Sequence, residues 1–137
     1  MDGYGKRILV VDDEAGCRAL LAAQLEQAGY AVHTACDGVA GLDEMRQRRF
    51  DAVITDGHMP GFSGLEFVGF CGIAWPDIPV ILRSGDPNYM TDCADEFEAA
   101  ACIQKPYETA MLLNVLRVVT QPGSRELAIF PTAQMQH

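Results

Sequence analysis

The sequence contains no hydrophobic run that approaches the roughly 20 residues needed to cross a bilayer. Its first residues also lack the basic segment and apolar run that together mark a secretory signal peptide. We therefore expect a cytoplasmic protein that has no membrane partner.

Basic residues are scarce, because ten Lys and Arg stand against nineteen Asp and Glu and leave a net charge of −9. Proteins that bind nucleic acids usually present basic surfaces to the phosphate backbone, so we expect no nucleic-acid partner. The sequence also lacks Gly-x-x-x-x-Gly-Lys-Ser/Thr, and no Gly-x-Gly-x-x-Gly follows a strand, which excludes the common nucleotide-binding loops.

Paired cysteines are absent as well, since no two of the five cysteines have the Cys-x-x-Cys spacing of metal or redox sites. We expect each of them to be a small buried hydrophobic residue. The five are Cys17, Cys36, Cys71, Cys93 and Cys102.

The chain does have enough apolar residues for one domain, with a hydrophobic fraction of 49% over 137 residues. Apolar runs predict strands over 8–11, 31–35, 52–55, 79–83 and 101–104, and helical patterns alternate with them over 15–28, 39–48, 64–74, 87–99 and 108–120. The helical patterns turn Cys17 and Val39 inward. Strict alternation predicts a doubly wound α/β fold, a parallel five-stranded sheet with helices on both faces. We expect one domain over 6–121 and a tail over 122–137 without its own fold.

Polar side chains stand at the predicted carboxyl ends of four strands, where open parallel sheets bind their ligands. Asp12 and Asp13 end the first strand, Asp56 the third, Ser84 the fourth and Lys105 the fifth. With strand order 2-1-3-4-5, the three carboxylates would meet in one crevice. Such a cluster requires a cation, and its hard oxygen donors suit Mg²⁺.

These side chains are suited to phosphoryl transfer. Asp56 stands alone at its strand end and is the candidate nucleophile, which would form an acyl phosphate. Lys105, Ser84 and the cation would neutralise the phosphoryl oxygens. Taken singly, the acids could be helix caps and the other two could be turn residues, so the prediction depends on their combination.

The sequence resembles the response-regulator receiver domains of two-component signalling. The matching pieces are Ile-Leu-Val-Val-Asp-Asp-Glu over 8–14, Asp-Gly-His-Met-Pro-Gly over 56–61 with Gly64 after it, Ser84-Gly85, and Lys105-Pro106. The resemblance implies a flavodoxin-like three-layer (βα)5 sandwich with strand order 2-1-3-4-5.

The resemblance also implies a phosphorelay function. Asp56 would accept a phosphoryl group from a sensor histidine kinase or a histidine phosphotransfer protein, in a reaction that depends on Mg²⁺. The resulting aspartyl phosphate would shift Ser84 and the helix over 87–99, changing the surface offered to a downstream protein partner. Such a module turns over no separate substrate, so we do not expect an enzyme.

The site residues that the resemblance implies fall into two sets. Asp12, Asp13, Asp56 and the backbone carbonyl of His58 would surround Mg²⁺. Ser84 and Lys105 would contact the phosphoryl group.

Two features depart from the family pattern or modify it. Receivers usually carry Tyr or Phe three residues before the lysine, as part of a switch coupled to the hydroxyl residue. Here that position is Cys102, so the aromatic part is missing. His58 and Asp86 occupy positions that tune the rate at which the phosphoryl group is lost.

The outer side of the third predicted helix is unusually apolar. Phe70 and Ile73 lie off its inner row and would form an exposed patch through which a homodimer could assemble. Alternatively, the apolar group over 127–130 could fold back over apolar surface.

The sequence leaves open three functions, each of a different class. The first is the phosphoacceptor module, either as a receiver-only protein or as the receiver of a longer regulator or hybrid kinase. The second is a degenerate receiver that acts only as a scaffold. The third is a phosphatase of the haloacid-dehalogenase type, which would need a second Asp two residues after the nucleophile, where this chain has His58.

Overall fold

The structure is a computed structural model that describes residues 5–57, 59, 61, 63–85, 100–105 and 107–121. The helix predicted over 87–99 and the tail over 122–137 lie outside these ranges. The same is true of His58, Asp86, Cys93 and Pro106.

Strands and helices alternate along the described chain. The strands are β1 (Arg7–Val11), β2 (Ala31–Ala35), β3 (Ala52–Asp56), β4 (Val80–Ser84) and β5 (Ala101–Gln104). The helices, numbered within the described residues, are α1 (Ala15–Gln27), α2 (Gly38–Gln47), α3 (Gly64–Ala74) and α4 (Thr109–Val119). These bounds lie within one or two residues of the predicted ones.

The five strands form one parallel sheet in the order β2-β1-β3-β4-β5. This order confirms the predicted doubly wound sheet. The chain turns outward to β2 from β1 and then crosses back to β3 on the other side. The carboxyl ends of β1 and β3 therefore flank the point at which the winding direction reverses, which is where such sheets bind ligands.

The core has two layers, one on each face of the sheet. Leu9 and Val11 of β1 pack with side chains of α2 and α3, among which Phe67 is fully buried. Ile8 and Val10 pack on the opposite face, with side chains of α1 and α4. Successive side chains of a strand point to opposite faces, so a strand covered on both sides reads as a continuous apolar run.

Two side chains that the helical patterns place inward are exposed instead. Cys17 in α1 is exposed, and Val39 in α2 is 69% exposed. Both belong to the first turn of a helix that begins a few residues after a strand ends. In α1 burial begins farther along the helix, at Leu21, whereas in α2 the adjacent Gly38 is already buried and Val39 lies on the outward side of the same turn.

The outer side of α3 is exposed as expected, with Phe70 at 46% and Ile73 at 86%. The helix begins with a reciprocal capping box, in which the Ser63 hydroxyl accepts from the Glu66 amide and the Glu66 carboxylate accepts from the Ser63 amide. Among the described residues, no helix has the length and apolar character that a membrane span requires.

Candidate functional site

Three carboxylates meet at the carboxyl ends of β1 and β3. One oxygen from each of Asp12, Asp13 and Asp56 lies within 4.8 Å of the other two. Asp12 and Asp56 are buried, at 1% and 8% exposure, whereas Asp13 is exposed. A compact group of hard oxygen donors with one side open to solvent fits Mg²⁺, which keeps several of its waters.

Lys105 provides a positive charge at this cluster. Its Nζ donates to Oδ1 of Asp56 at 3.0 Å. The Lys105 side chain is about a third exposed, and its backbone amide donates to the carbonyl of Ser84 at 2.8 Å. The end of β5 is therefore tied to the end of β4, and the sequence-predicted lysine reaches the sequence-predicted acceptor.

Ser84 is the last residue of β4 and is 2% exposed. The sheet register pairs Asp56 with Arg83, so Ser84 is the next position on the neighbouring strand. The five predicted residues thus share one edge of the sheet. Their roles in metal binding and phosphoryl contact stay predictions.

Arg83 is a site residue that sequence reasoning missed. It is 5% exposed, and one terminal nitrogen donates to Oδ2 of Asp12 at 2.8 Å. The other terminal nitrogen donates to the hydroxyl of Tyr107 at 3.0 Å. The signal was available, because an arginine inside a buried apolar strand is rarely tolerated without a partner.

Strand alternation explains why Arg83 points at an acid. Ile81, two residues earlier in β4, packs in the same core layer as Val10 of β1. Arg83 and Asp12 each follow these residues by two, and therefore lie on the same face of the sheet. The charged pair continues an apolar layer past the point where the strands end.

Asp12 is held from three directions. Its Oδ1 accepts from the backbone amide of Glu14 at 2.9 Å, and its Oδ2 accepts from Arg83. Its backbone carbonyl accepts from Arg18 at 2.7 Å. Both carboxylate oxygens are already hydrogen-bonded, which fixes the orientation of the side chain at the site.

The pKa of Arg83 reflects a contest between burial and its partners. Burial lowers the pKa, but the phenol of Tyr107 and the carboxylate of Asp12 outweigh it, and the pKa is raised above its ordinary value. Arg83 therefore carries a full positive charge beside the acids.

Cys17 lies within electrostatic reach of the same cluster. A hydrogen bond with Glu14 makes the largest contribution to raising the pKa of this thiol, slight desolvation and the charges of Glu14 and Asp12 raise it further, and Lys105 lowers it. The cysteine expected in the core is therefore a surface thiol at the rim of the site.

The other cysteines divide in the same way. Cys36 is exposed, contrary to the prediction, and Cys71 is buried in agreement with it. Cys102 is buried at 1% as predicted, but it is disulfide-bonded, which the sequence spacing did not indicate. His58 and Asp86 lie outside the described residues.

Comparison with known proteins identifies the family. Residues 8–117 match the model of the response regulator receiver domain. The chain belongs to this family. This receiver is similar to the two-component response regulator ARR14 of Arabidopsis thaliana, with 38% identity over 121 residues, covering 85% of this chain and 31% of that protein.

The receiver is also similar to the response regulator MprA of Mycobacterium sp. (strain KMS), with 41% identity over 119 residues, covering 86% of this chain and 52% of that protein. It therefore spans only about a third to a half of the length of these two relatives.

Two solved structures have the same fold. The chemotaxis protein CheY4 of Vibrio cholerae has a TM-score of 0.77 at 30% identity, covering 83% of this receiver and 98% of that chain. The response regulator protein TrrA of Thermotoga maritima, in complex with Mg(2+)-BeF, has a TM-score of 0.78 at 34% identity, with the same coverage. Both similarities support the receiver fold described above.

Proposed function

We propose that this receiver accepts a phosphoryl group on Asp56 from the phosphohistidine of a sensor histidine kinase or a histidine phosphotransfer protein. The observation that carries the proposal is the convergence of three carboxylates with Lys105, whose Nζ lies 3.0 Å from Asp56. A buried carboxylate that is both held by a cation and adjacent to other acids is unfavourable for stability alone and is suited to an anionic reactant.

The transfer needs little covalent machinery from the protein. A carboxylate oxygen of Asp56 attacks phosphorus, the phosphorus–nitrogen bond of the donor breaks, and its electron pair remains on the imidazole. Asp56 reacts as the carboxylate and has no proton to lose. Lys105 moves from the carboxylate to the incoming phosphoryl oxygens, and the Ser84 hydroxyl donates to another of them.

Asp12, Asp13 and Asp56 would hold Mg²⁺, and the backbone carbonyl of His58 completes this set in the family pattern. When bound, the ion supplies positive charge that offsets the phosphoryl oxygens. Asp13 is the exposed member of the cluster, so the site is open on its side, and a phosphoryl donor can approach from there.

The signal would leave through protein contacts. The kinase or phosphotransfer protein docks at the edge of the sheet that carries Asp56. A downstream protein binds the surface that changes with Ser84. Cytoplasmic location accords with this role. The exposed pair Phe70 and Ile73 on α3 offers an apolar contact to a partner protein or to a second copy of the chain.

The test is incubation with acetyl phosphate and Mg²⁺, followed by intact mass measurement. We expect a gain of one phosphoryl group that is lost in Asp56→Asn and prevented by a chelator. Asp43→Asn serves as the matched control, because Asp43 is an exposed acid of α2. A gain that persists in Asp56→Asn would refute the assignment of the acceptor.

A scaffold function is the second candidate, and Cys102 favours it. A buried, disulfide-bonded cysteine replaces the aromatic residue that receivers use at this position. A chain that gains no phosphoryl mass but still binds its partner would be a scaffold. Steady release of phosphate from a phosphate ester would instead support the phosphatase reading.

A further inference from the structure

We infer that Arg83 is a positioning residue that competes with a divalent cation for Asp12 and couples that competition to Tyr107. The inference deepens the proposed function, because it concerns the same acidic site. It assigns to this chain an internal cation that sets how tightly the site binds metal.

The geometry places Arg83 between the two groups. Its guanidinium donates from one nitrogen to Oδ2 of Asp12 at 2.8 Å and from the other to the Tyr107 hydroxyl at 3.0 Å. Arg83 and Asp12 are 5% and 1% exposed, so water screens their interaction little. A cation that binds Asp12 must share or displace the arginine.

Charge at the site points the same way. Within the described residues, two of the three clustered carboxylates form ion pairs, Asp56 with Lys105 and Asp12 with Arg83. Lys105 is about a third exposed, and its flexible stem allows it to move toward a phosphoryl group. Arg83 is buried and paired with Asp12, so its charge opposes any divalent ion that enters.

The guanidinium is not fully satisfied in this arrangement. Its Nε is buried and has no hydrogen-bond partner within the described part of the chain. An unpaired buried donor is costly, so the contacts made by the two terminal nitrogens must hold the group in place. Releasing one of them would leave Arg83 free to adopt another arrangement.

Tyr107 links Arg83 to the hydrophobic core, away from the acids. It lies between β5 and α4 and packs against the core layer of Leu112 and Leu116. Coupling between two sites is reciprocal: if metal binding weakens the Arg83–Tyr107 contact, removing that contact must strengthen metal binding by the same factor.

Calorimetric titration of Mg²⁺ into the full chain tests the inference without measuring phosphorylation. We expect Arg83→Met to bind Mg²⁺ at least about fivefold more tightly than the wild type. The matched control is Arg18→Met, which removes the same charge from a residue that contacts the carbonyl of Asp12 and not its carboxylate. We expect a much smaller change there.

Tyr107→Phe separates coupling from simple charge removal. Losing the hydroxyl removes one anchor of Arg83, so Mg²⁺ should bind more tightly in the wild-type background. In the Arg83→Met background the same substitution should have no effect on Mg²⁺ affinity. Should Arg83→Met fail to fold by circular dichroism, Tyr107→Phe alone decides.

Unchanged or weaker Mg²⁺ binding in Arg83→Met overturns the inference, as does an equal gain in Arg18→Met. An effect of Tyr107→Phe that persists without Arg83 overturns the coupling. If the wild type takes up phosphoryl groups but Mg²⁺ affinity does not change as expected in the variants, the proposed function stands and this inference is wrong. If Mg²⁺ affinities change as expected but Asp56 is never phosphorylated, this inference stands and the proposed function is wrong.

Discussion

A Cβ atom at Gly64 would lie 2.1 Å from the carbonyl oxygen of Asp56 and 2.7 Å from the Cα of Gly57. Both are backbone atoms, so neither can move aside as a flexible side chain would. The amide of Gly64 also donates to the Gly57 carbonyl at 3.1 Å. The first turn of α3 is therefore seated directly on the backbone that presents the candidate acceptor.

Gly64→Ala should consequently damage the fold and the site together. We expect the free energy of unfolding to fall by about 1–3 kcal/mol, because the backbone after β3 must shift to admit the methyl group. Phosphoryl uptake should slow as well, since Asp56 moves with that backbone. Urea unfolding and the acetyl phosphate assay measure the two effects.

Gly72→Ala is the control within the same helix. An added Cβ there meets nothing within 4 Å, so the substitution should stabilise α3 by up to about 1 kcal/mol. Equal destabilisation by the two alanines would contradict the steric argument.

Lys105→Met should slow phosphoryl uptake on Asp56 by about 100-fold, because the positive charge of Lys105 no longer stabilises the oxygens of the transferred group. Methionine keeps much of the apolar stem. Mg²⁺ should still bind, since the three carboxylates remain. Rates of mass gain at saturating Mg²⁺ measure the effect.

The control for this charge removal is Lys6→Met, because Lys6 precedes β1 at the opposite edge of the sheet, where its Nζ donates to Thr120. Its uptake rate should equal that of the wild type. Equal rates in Lys105→Met and Lys6→Met would show that Lys105 has no part in the transfer.

The fold was predictable because each buried strand is short, apolar and bounded by polar residues. A strand covered on both faces needs no alternation, so runs such as that ending in Val11 are readable without knowing their neighbours. The strand order came from the resemblance, since periodicity carries no information about which strands are adjacent. The carboxyl-end residues followed once that order was assumed.

What the sequence could not supply was the environment of individual side chains. Cys17 matches an inward stripe by spacing, but burial in α1 begins only at Leu21, and spacing alone does not report where along a helix burial begins. Arg83 was read as the end of an apolar run. Its significance depends on the sheet face shared with Asp12, which requires the register of β4 against β3.

Cys71 should make stability depend on alkaline pH. Burial raises the pKa of this thiol to about 12, whereas an unfolded cysteine loses its proton near pH 8.5. Above that pH the unfolded state binds fewer protons than the folded state, so stability falls as pH rises toward 12, by at most about 1.4 kcal/mol per pH unit. Below pH 8.5 the full contribution is present.

The measurement is urea unfolding of the wild type and Cys71→Ala between pH 7 and 11. Alanine removes the titrating group, so the stability advantage of the wild type should shrink as pH rises. Cys36→Ala, at an exposed position, should keep the wild-type slope. An advantage of the wild type over Cys71→Ala that is constant with pH would contradict the argument.

Glu14 should control the reactivity of Cys17. The thiolate is the reactive form, and the hydrogen bond with Glu14 is the main reason that the pKa of Cys17 is raised. Glu14→Gln removes the negative charge, so the pKa should fall and alkylation by iodoacetamide at pH 8 should accelerate. Rates are measured in a Cys36→Ser background, which leaves Cys17 as the exposed thiol among the described residues.

Glu26→Gln is the matched control, because Glu26 lies at the far end of the same helix. Its alkylation rate should equal that of the parent, and raising the pH should bring the parent toward the Glu14→Gln rate as the thiolate fraction grows. Identical rates for Glu14→Gln and Glu26→Gln at pH 8 would mean that Glu14 does not hold the Cys17 proton.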